Sequence, residues 1–104
     1  MRDGLQGGGS AGSQYHPLTT GQVRAARALL RWTTERLAQE SGVGLATIRR
    51  AEPVDGPLRM IRANAQAIQR VLEAAGIEFI PMSDAGGVGV RLRLPTPVGE
   101  ERRF

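Results

Sequence analysis

The sequence predicts a mainly α domain closed by a C-terminal β-hairpin, and three observations carry that expectation. Apolar residues recur at helical spacing from Val23 to Ala75. Within "ERLAQESGVGLATIRRAE", residues 35–52, a Gly interrupts that spacing, and it resumes a few residues later. Beyond Gly76 the pattern changes to alternation in "IEFIPM" and "VGVRLRL". A period of 3.6 marks an amphipathic helix, and a period of 2 marks a half-buried strand.

Order is expected to begin near "LTTGQVRAARALLRW", with Thr19 or Thr20 as the cap and Gln22 or Val23 in the first turn. Val23, Ala26, Arg27 and Leu30 share one face. An arginine on an inward stripe needs an anionic partner, because an unpaired buried charge is costly. Arg24 and Arg31 fall outside the stripe and read as a solvated face. Trp32 reads as an aromatic plug where the first helix meets the second. Thr34 is the expected cap of a helix over 35–41, with Leu37 and Ala38 inward. Gly42 can take the left-handed conformation that ends a helix. Val43 then fills the corner, and a second short helix runs from Leu45 to Glu52 with Ile48 inward, stopped by Pro53.

"PVDGP" has turn chemistry throughout. "LRMIRA", just after Pro57, reads as the start of another helix supplying Leu58, Met60 and Ile61. Asn64 is the expected cap of a helix over 65–75, whose inward stripe is Ile68, Val71, Leu72 and Ala75, with Gly76 at its stop. Two strands joined by "SDAGG" follow; Val88, Val90, Leu92 and Leu94 share one face, and Arg91 and Arg93 the other. The expected organisation is a flexible N-terminal arm over 1–18, a helical domain over 19–76, a hairpin over 77–94 suited to dimerisation, and a disordered tail over 95–104.

Composition narrows the chemistry. The 104 residues suffice for one domain with a modest core. There is no cysteine, which excludes disulfides, thiol catalysis and Cys-ligated zinc, and His16 is the single histidine. No catalytic residue, metal or cofactor is implied, and an enzyme is not expected. "GGVGV" precedes a strand, whereas a phosphate-cradling loop follows a strand and opens a helix. No apolar run approaches the roughly 20 residues that span a bilayer, and the N-terminus has no secretory apolar core. The expected location is the cytoplasm, in association with the nucleoid when DNA is bound. The net charge is +4, and every basic residue is an arginine. A GC-rich genome explains the missing lysine but not the excess positive charge. Guanidinium groups bind phosphate or a guanine edge through two parallel hydrogen bonds, so nucleic acid is the favoured partner.

A helix, a tight turn with Gly, and a second short helix make up the helix-turn-helix unit, in which the second helix can be offered to a DNA groove. An αα-hairpin in any helical bundle can show the same pattern. Over residues 20–76, through "QVRAARALLRW", "ERLAQESGVGLATIRRAE" and "IQRVLEAAGIEF", the chain resembles the XRE family of Cro/repressor-type bacterial and phage regulators. With "GVGVRLRL" it resembles a small single-domain subgroup carrying a C-terminal β extension. The resemblance implies a five-helix Cro/repressor-like domain with a C-terminal β-hairpin. It also implies an ion pair between an Arg of the first helix and a Glu closing the third, here Arg27 and Glu52, in agreement with the inward placement of Arg27.

The resemblance further implies that helix 45–52 enters the major groove of double-stranded DNA and regulates transcription. The chain departs from the family where Gln is common at the start of the second helix and Ser or Thr caps the third; it has Thr34 and Gly44. The base-reading positions become Leu45 and Ala46, which can touch a thymine methyl but read no hydrogen-bond pattern. Readout is therefore expected from Arg49, with Thr47 and Arg50, and phosphate contacts from Thr34, Arg36 and Arg50. One bidentate contact discriminates by roughly 1–3 kcal/mol, against the roughly 4–10 kcal/mol that separates specific from non-specific binding. Specificity thus calls for a homodimer, DNA shape or another protein. The alternative is a protein-interaction module, either an antitoxin bound to a toxin or an adaptor on RNA polymerase or another regulator.

Overall fold

The computed structural model describes residues 18–93. The expectations of an arm over 1–17 and a tail over 95–104, with Leu94, lie outside them. Leu18 does not belong to an arm: it is buried in the core, and its carbonyl accepts the Leu58 amide at 2.9 Å.

The described residues form four α-helices and a two-stranded antiparallel hairpin: α1 (Thr20–Leu30), α2 (Thr34–Ser41), α3 (Leu45–Ala51), α4 (Arg62–Ala74), β1 (Ile77–Ile80) and β2 (Gly89–Leu92). The expected five helices are corrected to four. "LRMIRA" opens no helix of its own, because its backbone partners lie elsewhere. The Thr20 amide donates to Gly56 O at 2.9 Å, Leu58 donates to Leu18, and Thr19 bridges Pro57. These bonds hold Pro57 and Leu58 against Leu18 and Thr19, out of a helix. Side chains of extended chain alternate, so Leu58 and Met60 pack on the core while Arg59 and Ile61 face out. Ile61 is 68% exposed, against its expected inward placement. It is also the N-cap of α4, without a side-chain cap bond, in place of Asn64.

Thr19 caps α1 in a reciprocal capping box. Its hydroxyl accepts the Gln22 amide at 3.1 Å, and its own amide donates to Gln22 Oε1 at 3.0 Å. The helix ends at Arg31 in the left-handed region (φ 61°), and Trp32 N donates back to Arg27 O at 2.9 Å. Thr33, one residue ahead of the expected Thr34, caps α2.

Val23, Ala26, Leu37, Val43, Ile48, Ile68, Leu72 and Ile77 are buried together, so the periodic residues of every helix meet in one core. Trp32 packs on its edge, as expected of a plug, and Val71 and Leu30 do likewise. The hairpin pairs Ile77 with Leu92, Glu78 with Arg91, Phe79 with Val90 and Ile80 with Gly89. Phe79 and Val90 reach the core, while Val88 and Leu92 stay 42% and 48% exposed. Gln22 Nε2 ties the hairpin to α1, donating to Gly89 O at 3.0 Å and Ile80 O at 3.3 Å.

Candidate nucleic-acid interface

The site is built on the turn between α2 and α3. Gly42 takes φ 79°, and its amide donates to Ala38 O at 2.9 Å, closing α2. A side chain is strained at that φ, which is why glycine stands there. Ser41 stitches the corner: its hydroxyl donates to Leu37 O at 2.7 Å and accepts the Val43 amide at 3.1 Å. Val43 is buried beneath, as expected. Gly44 caps α3 with no side-chain bond.

α3 has two faces. Ile48 and Ala51 root it in the core, Leu45 and Thr47 are half-buried, and Ala46, Arg49 and Arg50 are exposed. The seven residues expected to contact DNA thus fall on α2 and α3, and the exposed ones are set by where Ile48 must go. Arg49 and Arg50 lie in the last turn of α3, where positive charge complements the helix dipole.

The expected ion pair is present. Arg27 Nε and Nη2 donate to Glu52 Oε2 and Oε1 at 2.9 and 2.6 Å, and Nη1 donates to Trp32 O at 2.9 Å. Their side chains are only 19% and 7% exposed. This fork fixes the end of α3 against α1, so α3 is held at a set angle. Arg24, expected on a solvated face, joins the same junction. It donates to the Glu52 carbonyl and pairs with Asp55 at 3.0 Å. Its spacing gave no sign of this, since both partners lie about 30 residues away in sequence, at the end of α3 and within the turn "PVDGP".

Other contacts qualify the expected DNA contacts. Arg36 lies over the Trp32 ring at 4.7 Å and pairs with Glu40 at 2.8 Å. Arg49 pairs with Glu35 of α2, whose other oxygen accepts from the Thr34 hydroxyl at 3.3 Å. Glu35 is a member of the site that spacing did not single out. Its own backbone amide holds its carboxyl below the ordinary value, with Arg49 and Thr34 adding to that. Arg50 has no acidic partner among the described residues.

An open cleft of about 480 Å³ runs beside α3, lined by Thr47, Arg50, Val54, Arg59, Met60 and Ile61. Its floor is apolar and its charged members are arginines. Among the described residues no helix is long and apolar enough to cross a membrane. Compared with known proteins, the chain matches no protein-family model and no curated protein.

Proposed function

We propose that the protein is a sequence-specific DNA-binding transcriptional regulator of the Cro/repressor type, acting in the cytoplasm on double-stranded DNA. One observation carries the reading: α3 is rooted by Ile48, Ala51 and the Arg27–Glu52 fork, while Ala46, Arg49 and Arg50 are exposed on its outer face. The major groove of B-DNA admits one helix. In this reading Arg49 and Thr47 reach base edges, Leu45 and Ala46 pack on thymine methyls, and Thr34, Arg36 and Arg50 meet phosphates. Specificity from so few polar side chains calls for two copies, with reading helices ~34 Å apart. The exposed Val88 and Leu92 of the hairpin region are the surface proposed for that homodimer.

The test is selection of bound fragments from random duplex DNA at two salt concentrations. The expected result is a two-fold symmetric site, with affinity falling steeply with salt at about −0.9 in log–log slope for each phosphate contact. Equal recovery of all fragments sinks the reading. A second reading, docking of a protein partner such as a toxin or RNA polymerase, is favoured by the cleft beside α3. Val54 and Ile61 are 47% and 68% exposed there, more apolar surface than phosphate contact calls for. One stoichiometric protein partner, recovered by a chain with no duplex preference, decides for it.

A further inference from the structure

We infer that Glu35 sets the specificity of the α3 face, because DNA must take Arg49 away from it before Arg49 can read a base. The inference rests on the DNA-binding reading above. The Glu35 carboxylate lies between two side chains that reading assigns to DNA, Thr34 and Arg49, and one of its oxygens is engaged by each. Both partners of the Arg49 pair are 57% exposed, so the pair stands in solvent and can exchange.

The two kinds of DNA meet this arrangement differently. On a duplex that offers Arg49 no guanine, Arg49 stays with Glu35. The phosphates then meet a closed, nearly neutral pair, and no contact within the protein is lost on binding. On a site with a guanine beneath Arg49, O6 and N7 accept two parallel hydrogen bonds and replace the carboxylate. Only the guanine site has to break the pair and leave a bare carboxylate near the phosphates, so Glu35 subtracts more from specific than from non-specific binding. Arg50, with no acidic partner among the described residues, adds to both alike. Glu35 is a positioning residue, acting through Arg49.

The experiment compares the full chain with Glu35→Gln, Glu35→Asp, Arg49→Ala and the Glu35→Gln/Arg49→Ala double variant. Each is titrated at one salt concentration with the selected duplex and with a scrambled duplex of equal length, after thermal melts show that it folds. Glu35→Gln is expected to raise the ratio of specific to non-specific affinity, by up to about fivefold, the upper end for one exposed ion pair. Glu35→Asp keeps most of the ratio, and in the Arg49→Ala background Glu35→Gln leaves the ratio unchanged. An equal gain on both duplexes is mere loss of a negative charge and overturns the inference, as does a fall in the ratio, or a ratio that still rises without Arg49. A wild-type chain that prefers no duplex overturns the DNA-binding reading itself, and the inference with it; a wild-type chain with a clear site separates the two failures.

Discussion

At the scale of single residues, the junction under α3 depends on a charge that has left water. Glu52 is 6% exposed, and the Arg27 fork occupies both its oxygens. Replacing both partners of such a pair by apolar groups is often nearly neutral, whereas removing one leaves the other stranded. Glu52→Ala is expected to destabilise the fold by about 3 kcal/mol in urea melts, and Arg27→Met/Glu52→Leu by clearly less. A double variant as unstable as the single one would show that the fork has no separable electrostatic role. The exposed pair of Glu78 and Arg91 has a consequence that depends on pH. The hydrogen bond from Arg91 is the main force holding the Glu78 carboxyl below its ordinary value of 4.5. A carboxyl lowered in the folded state adds stability that is full above its unfolded pKa and is lost as pH falls through the folded one. Wild type is therefore expected to melt above Glu78→Gln near neutral pH, and the two to converge on acidification below about pH 4. Thermal melts across that range check it; a gap that widens in acid contradicts the pairing.

At the scale of elements, the turn and the cap of α3 make opposite demands on their glycines. Gly42 has open space around a built Cβ but a φ of 79°, so Gly42→Ala should cost about 1 kcal/mol through backbone strain alone. Gly44 has an ordinary φ of −60°, and a Cβ there meets only the Thr47 hydroxyl at 3.8 Å. Gly44→Ser supplies the missing side-chain acceptor for the first turn of α3 and is expected to raise stability by a few tenths of a kcal/mol, about 2 °C in melting temperature. A fall in melting temperature at that position would mean that the added side chain clashes. These elements were legible in the sequence because each is punctuated locally: Thr19 before Gln22, Gly42 after Leu37 and Ala38, Pro53 after Glu52. The segment 58–61 was not, because its three apolar residues fit either period. What decides between them is pairing with Leu18–Thr20, about 40 residues earlier in sequence. The same limit applies to the candidate site. Arg27 and Glu52 were paired by burial and family resemblance, but Glu35 and Arg49 lie 14 apart on two helices, and only the crossing of α2 with α3 brings them together.

At the scale of the whole molecule, α1 ties down the end of α3, the loop after it and the hairpin, and three of its side chains make these ties besides Arg24. The Thr20 hydroxyl donates to Val54 O at 2.8 Å and holds the loop after α3. Arg27 holds Glu52 at the end of α3. Gln22 does two things: its Oε1 accepts the Thr19 amide to cap α1, and its Nε2 reaches the Ile80 and Gly89 carbonyls of the hairpin. A two-stranded hairpin is marginal alone, so its order depends on Gln22, on packing of Phe79 and Val90, and on the Arg93 amide, which donates to Gly76 O at 2.7 Å. Gln22→Ala removes the amide group, leaving two hairpin carbonyls and the Thr19 amide without this partner. The expected cost is about 1–3 kcal/mol, and it should not fall evenly. Hydrogen exchange at Glu78 and Ile80 should quicken well before exchange at Ile48, which the Arg27–Glu52 fork still secures, because the hairpin can open as a unit while α1 to α4 stay packed. Gln22→Glu provides the contrast: it keeps the acceptor for Thr19 but turns the hairpin donor into a second acceptor facing two carbonyls. If Gln22→Glu protects the hairpin amides as well as wild type does, the tie runs through packing, and the glutamine serves only as the cap of α1.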